Sequence, residues 1–364
     1  MDPGASSSGR PGKCEFSWQD GSDGSDFDGR LRWLVRIDGP ELQHVEDAEA
    51  SDSDEVFQFL LKLLPKDDRE AVTKFVFLED RKRTLVSRLM ARRCAALVSG
   101  ESFHNVKMAR TKGKKPFTKS PPRYQNKMPN FNFNISHEGN YVALASEPYA
   151  VVGIDVAAPS QFRRRGQGNQ SGYGVSKEGI EAFFRDLKGS FGESEWNVIH
   201  SYASDEQKLA AFRRFWSCKE AFVKARGDGL GFPLERCVFD QKVVEDVDGD
   251  DSLDFEPEVY DATVKIYPKK YLGEAVETNS KWRLRIQKVD KGGHYITVAR
   301  GPLSDIIDAW GEFSDTLTKK AFSDDEWRDV LSAPHPVFES LSLTDLVPEP
   351  MRAKFSSLIP SCIM

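Results

Sequence analysis

The chain has 364 residues, a formal net charge of −6, and 39% hydrophobic, 30% charged and 11% aromatic residues. That length carries two domains of ordinary size or one large one with tails, and that composition lies outside the disordered and membrane classes. No apolar run approaches the roughly 20 residues of a membrane span, and an acidic balance argues against general nucleic-acid binding.

Residues 1–29 are polar and acidic, without the apolar core of a signal peptide or the Arg-rich bias of a transit peptide, and read as a disordered lead-in. The cysteines (Cys14, Cys94, Cys218, Cys237, Cys362) are scattered and show no CxxC spacing, so neither a disulfide framework nor a zinc site is expected, and the expected compartment is the reducing cytoplasm. The final "SCIM" is not a prenylation box, because Cys362 is third from the end rather than fourth.

In chain order, "RLRWLVRID" alternates Leu31, Trp33, Val35 and Ile37 as a first strand, and an acidic stretch follows. Residues 66–98 predict two helical segments with Leu85, Leu89 and Met90 on one stripe. "NFNFNIS", the turn "HEGN" and "YVALAS" predict a hairpin, and "VVGIDV" a further strand. Helical text occupies about 176–226, and strands are expected near 236–240, 258–267, 282–288 and 294–299. This order predicts an α+β fold. "DDREAVTKFVFLEDRKR" and "SDEQKLAAFRRFWSCKE" echo one another loosely, and Ser323 with Glu326 has capping-box spacing in a partly helical tail expected to lie outside the catalytic core.

Four stretches carry chemistry. In "FWSCKEAFVKARGDGLGF" (215–232), Phe212, Phe215, Trp216, Phe222 and Val223 share one arc of a helix, with Lys219 inside it and Glu220 and Lys224 on its flank. From the wheel alone Lys219 is a snorkelling side chain, Glu220 and Lys224 are a surface i,i+4 pair, and Gly227 is a C-cap. Asp155 breaks an apolar strand at its emerging end; it either caps a turn or, joined by Glu220, offers hard oxygens to magnesium. Lys107, Arg110, Lys112, Lys114, Lys115, Lys119, Arg123 and Lys127 occur with no acid between them, broken by Gly113 and prolines, which suits a shaped loop for a compact polyanion. His137, in the hairpin turn, is either a turn residue or a further donor. "EDVDGDDSLD" (245–254) lacks the order of a calcium loop, and "RRRGQGNQSGYG" (163–174) lacks a Walker ending.

Together "RTKGKKP", "FNISHEG", "VGIDV" and "FWSCKEAFVKARGDGLGF", in that order, resemble the 4′-phosphopantetheinyl transferases of the large monomeric surfactin-activator type, nearest to the eukaryotic aminoadipate-semialdehyde dehydrogenase group. The resemblance covers roughly residues 30–300. It implies two similar α+β halves related by a pseudo-twofold axis, with the active site in the cleft between them. The division expected is a lead-in at 1–29, halves at 30–154 and 155–303, and a tail at 304–364. The implied reaction moves 4′-phosphopantetheine from coenzyme A to a serine of an apo acyl or peptidyl carrier protein and releases adenosine 3′,5′-bisphosphate.

Carried over by position, the resemblance makes Asp155 and Glu220 magnesium ligands, Glu220 also a candidate base, and Lys224 a phosphate contact. Asp155, Glu220 and Lys224 are thus the catalytic set. Lys219 is expected to face the same cleft and touch coenzyme A. Arg110, Thr111, Lys112, Gly113, Lys114 and Lys115 match the basic loop at the adenosine end, and Ser136, His137, Glu138 and Gly139 match the turn holding the nucleotide. Two positions depart from the pattern: Ala157 stands where bacterial members place a second acid, leaving water to complete the metal shell, and Arg69 is only near the column of an expected coenzyme contact that Ala71 occupies in another register. A monomeric cytoplasmic enzyme is expected, acting on carrier proteins and not on membranes or nucleic acid. Its rivals are a non-catalytic binder of RNA or an acidic partner through 107–127, separable by the salt dependence of binding, and a relative that keeps only coenzyme A binding, against which the intact acid pair argues.

Overall fold

The computed structural model describes residues 27–159, 177–244, 258–267 and 278–359. The loop at 163–174 and the acidic turn at 245–254 lie outside these residues, as does the lead-in up to residue 26.

The first alternating run forms β1 (Arg32–Arg36), where Trp33, Leu34 and Val35 are all buried, so both faces are covered. The acidic stretch folds into three short helices, α1 (Pro40–Gln43), α2 (Ala48–Ser53) and α3 (Glu55–Lys62). Acids start the second and third of these: Asp47 accepts from the Ala50 amide and Asp54 from the Phe57 amide, satisfying donors that a helix N-terminus leaves open. Then come α4 (Lys66–Thr73) and α5 (Leu78–Ser99), the latter closed by Gly100 at φ 72°. The basic run makes a small hairpin, β2 (Met108–Arg110) and β3 (Pro116–Thr118), followed by the expected hairpin β4 (Asn132–Glu138) and β5 (Tyr141–Glu147), and by β6 (Val151–Ala157).

Residues 177–226 hold three helices, α6 (Lys177–Asp186), α7 (Glu193–Ser201) and α8 (Asp205–Arg226). As expected, α8 stops at Gly227, whose φ of 86° suits a residue without Cβ. An antiparallel run follows: β7 (Cys237–Val243), β8 (Val259–Ile266), β9 (Thr278–Lys288) and β10 (Tyr295–Gly301). The tail adds α9 (Asp324–Ser332), β11 (Glu339–Leu341), α10 (Leu343–Leu346) and α11 (Glu349–Ser356).

The mixed helix-and-sheet expectation is met by a four-stranded sheet ordered β11-β1-β5-β4 and a five-stranded sheet ordered β6-β10-β9-β8-β7. Their edges β4 and β6 meet through side chains rather than a backbone ladder. Asn132 Oδ1, Asn134 Oδ1 and Ser136 Oγ accept from the amides of Val152, Ile154 and Val156 at 2.9, 3.0 and 3.1 Å. Because strand side chains alternate with period two, the polar half of "NFNFNIS" satisfies the edge of β6 while Phe131 and Phe133 enter the core around α5. On its helical side β6 touches α8, and Gly153 sets the distance: a Cβ there would lie 2.1 Å from the Ala221 carbonyl oxygen and 2.4 Å from the Ala225 nitrogen.

The tail contributes to the hydrophobic core. β11 pairs in parallel with β1, Leu343, Leu346, Val347 and Phe355 are buried in the cluster around α5, and Phe313 packs on Phe117 beneath the basic hairpin. Among the described residues no helix is long and apolar enough to cross a membrane.

Candidate active site

A cleft of about 370 Å³ opens where α5, the β2–β3 hairpin, β4 and α8 converge. α5 contributes Ser87 and Ala91, whose small side chains leave room; the hairpin brings Arg110, Gly113, Lys114 and Lys115; β4 brings Asn134, Ile135 and His137; and α8 brings Glu220, Val223 and Lys224. Phe232 and Leu234, beyond the end of α8, form an apolar wall. The hairpin docks on the helix terminus so closely that a Cβ on Gly113 would lie 2.3 Å from the Gly227 carbonyl oxygen. At the hairpin tip Lys114 takes the left-handed conformation, φ 68°, which is costly for a residue bearing Cβ.

Beside the cleft, Lys224 Nζ lies 2.6 Å from Asp155 Oδ1 and donates to Ser136 Oγ at 2.9 Å, and Ser136 Oγ donates to the same Asp155 oxygen at 3.2 Å. The other oxygen, Asp155 Oδ2, is buried without a hydrogen-bond partner. Burial pushes the Asp155 carboxyl above the ordinary carboxylate range, against the pull of Lys224 and Ser136. Glu220 is likewise raised, by burial and then by the negative charge of Asp155, with Lys224 opposing. Glu138 is raised by burial, and both Asp155 and Lys224 act on it electrostatically. Among the described residues no three His, Cys, Asp or Glu side chains are grouped closely enough to form a metal cluster. The donor set nevertheless fits a hard divalent cation: an unsatisfied buried carboxylate oxygen and a second carboxylate made costly by the first.

Lys219 does not face the cleft. Its side chain is fully buried, with Nζ 2.9 Å from Glu195 Oε2 and donating to the carbonyls of Leu234 and Cys237 at 3.1 and 2.5 Å. Neither snorkelling nor coenzyme contact describes it; the arc is core, and the lysine is neutralised inside it. Lys115 is corrected in a similar way. Although it borders the cleft, its ammonium points inward to the carbonyls of Val152, Lys224 and Ala225, so it ties the hairpin to β6 and α8 and is not free for a phosphate.

The remaining expected residues divide. Arg110 and Lys114 are exposed on the cleft rim, whereas Lys112 is exposed and does not line the cleft. Thr111 is buried and closes the hairpin turn, its hydroxyl accepting from the Lys115 amide. Gly139 takes φ 54° in the β4–β5 turn, and its carbonyl accepts from Arg83 Nη1 at 2.8 Å. Arg69, on α4, lines neither the cleft nor the adjoining hollow that shares Ala91, Arg110 and Pro116 with it.

A family profile described as "4′-phosphopantetheinyl transferase, N-terminal" matches residues 49–149, and one described as "4′-phosphopantetheinyl transferase superfamily" matches residues 151–286. The chain is 34% identical over 240 residues to the L-aminoadipate-semialdehyde dehydrogenase-phosphopantetheinyl transferase of Mus musculus, covering 66% of this chain and 67% of the relative. This chain belongs to the 4′-phosphopantetheinyl transferase superfamily. A phosphopantetheinyl transferase of Thraustochytrium sp. is 34% identical over 180 residues, covering 48% of this chain and 57% of that one. The 4′-phosphopantetheinyl transferase gsp of Aneurinibacillus migulanus is 25% identical over 192 residues, covering 53% and 68%. The chain is accordingly an enzyme that transfers phosphopantetheine from coenzyme A to carrier proteins.

In this transferase the two profiles meet at the seam between β5 and β6, and the cleft draws lining residues from both matched regions. Sequence reasoning missed Asn134, which lines the cleft while holding β6, and Arg83, which fixes the "SHEG" turn to α5. The alternation of asparagine with phenylalanine was the available signal for the first. Nothing local signalled the second, since Arg83 is one of several basic residues on α5. Within "VGIDV" Gly153 carries no local signal, since its packing depends on the helix opposite.

Proposed function

We propose that this transferase uses the cleft to hold coenzyme A, with Arg110 and Lys114 on the rim and Lys224 further in facing its phosphates, and that magnesium is held by Asp155 and Glu220. Lys224 supports this reading most directly: it is joined to Asp155 and Ser136, and its side chain is 31% exposed, so its charge is anchored yet reachable from the cleft. The unpartnered Asp155 Oδ2 beside Glu220 is the single observation that carries the metal assignment. Bound there, a divalent cation would neutralise charge on the pyrophosphate.

The acceptor is the serine hydroxyl of an apo acyl or peptidyl carrier protein. Glu220 takes the hydroxyl proton, and its raised carboxyl is closer to the working pH than an exposed one, as suits a general base. The serine oxygen forms a bond to the phosphorus that carries pantetheine; the bond from that phosphorus to the bridging oxygen breaks, and adenosine 3′,5′-bisphosphate leaves. Lys224 and the basic rim stabilise the departing phosphate charge. The halves at 30–154 and 155–303 are read as related by a pseudo-twofold axis. Each supplies a 22-residue helix, α5 or α8, laid against a sheet and closed by a left-handed glycine, which supports that reading.

The test is substitution. Asp155→Ala and Glu220→Ala are each expected to lower transfer at least 100-fold while the circular dichroism spectrum and thermal midpoint stay near those of the parent. Full turnover in either variant refutes the assignment of that residue.

A further inference from the structure

Among the described residues, the buried Lys219–Glu195 ion pair takes no part in the proposed transfer. Lys219 and Glu195 have no solvent exposure in either side chain, and their charged atoms lie 2.9 Å apart. Lys219 Nζ also donates to the carbonyls of Leu234 and Cys237, which accounts for its three protons. Glu195 accepts the Gly192 amide at 2.8 Å and the Phe239 amide at 3.0 Å. The ammonium lies over the Phe191 and Phe239 rings, 5.0 and 5.6 Å from their centroids.

This knot joins three segments: the N-terminus of α7, the middle of α8, and the turn that enters β7. A buried, fully bonded ion pair is no more stabilising, as a rule, than apolar residues of the same volume, so stability does not account for placing one here. Its geometry offers a different account. Lys219 directly precedes Glu220, which lines the cleft, and one carbonyl it holds belongs to Leu234, which lines the cleft as well. Apolar contacts along α8 tolerate small rotations about its axis, whereas bonds from one ammonium to three directed acceptors do not.

We propose that the Lys219–Glu195 pair is a positioning device: it fixes the rotation of α8 so that Glu220 points into the cleft, and pins the Leu234 wall at a set distance from it. The inference rests on Glu220 being a reacting group of the transferase.

The test uses the full chain carrying Lys219→Met together with Glu195→Gln. The glutamine oxygen can still accept the Phe239 amide and its amide nitrogen can donate to one freed carbonyl, so both charges are removed while the Gly192 amide and the other carbonyl lose their partner. Transfer from coenzyme A to an apo carrier protein is followed alongside the thermal midpoint. The expected result is a lowered midpoint with the protein still folded at the assay temperature, kcat per folded molecule lowered at least tenfold, and a KM for coenzyme A changed less than threefold. A folded double variant with parental kcat overturns the proposal, because a merely structural pair leaves turnover per folded molecule intact. Should the double variant not fold, Glu195→Asp keeps both charges and shortens the reach by one methylene; a threefold or larger fall in kcat supports the proposal, and parental kcat overturns it. Glu220→Gln separates the two levels: if it abolishes transfer while the folded double variant keeps parental kcat, the positioning role alone fails, and if it retains full transfer, the reading beneath it fails as well.

Discussion

Lys115 donates to the carbonyl oxygens of Val152, Lys224 and Ala225, and so serves the C-terminal turn of α8, where carbonyls lack helical partners. Burial pushes its ammonium down to about 7 from the ordinary 10.5. The unfolded chain therefore binds this proton more tightly than the folded one, and the lysine weighs against folding below that range. Stability from this group rises as pH increases from about 7 toward 10.5. Thermal melts at pH 7 and pH 9 check this: the parent is expected to gain relative to Lys115→Met over that interval, and an unchanged difference between the two would contradict it. Lys115 and Lys219 also mark how far residue-level reading reached. Spacing in the sequence singled out Lys219 inside an apolar arc, whereas Lys115 is one of eight members of a basic run. Neither partner was visible, because Glu195 and the carbonyls of β6 and α8 come from distant segments that only folding brings near.

At the scale of elements, α8 owes its place to the strand beneath it. β6 can lie close to the helix because Gly153 has no Cβ, and this closeness puts Asp155 within reach of Lys224. Gly153→Ala is expected to force the pair apart, costing about 1–3 kcal/mol in denaturant melts and also lowering transfer. An alanine variant with parental stability would show that the approach is not needed. Strand and helix existence was largely legible here: the β4–β5 hairpin, β6 and the stop of α8 at Gly227 follow from alternation and capping chemistry. The short helices α1 to α3 were not legible, since their helical runs are brief and the aspartates that cap α2 and α3 sit in an acidic stretch that carries no helical periodicity. The seam between β4 and β6 was half legible. Asparagines alternated with phenylalanines as on a half-buried strand, but the outward side turned out to face another strand edge.

Across the whole molecule, the segment after residue 303 closes the fold instead of trailing from it. Phe355 is fully buried, its ring centroid 5.4 Å from that of Phe59 and tilted by 33°, joining α11 to α3. Phe355→Ala is expected to cost about 3–5 kcal/mol through the cavity it leaves, read in a denaturant midpoint, with turnover per folded molecule unchanged; a loss of under 1 kcal/mol would contradict a structural role for this segment. Its packing was hidden because β11 is only three residues long and pairs with the first strand of the chain, a contact between sequence extremes that local patterns do not encode. The candidate site was more legible than the tail: four short motifs brought Asp155, Glu220, Lys224, Ser136 and the basic hairpin to one place. The central claim is that this place transfers phosphopantetheine. Incubation with coenzyme A, magnesium and a panel of apo carrier proteins, read by intact mass, tests it most directly. A carrier is expected to gain the mass of one phosphopantetheine with the parent enzyme and none with Asp155→Ala, whereas no gain on any carrier, or an equal gain with both enzymes, would contradict the account.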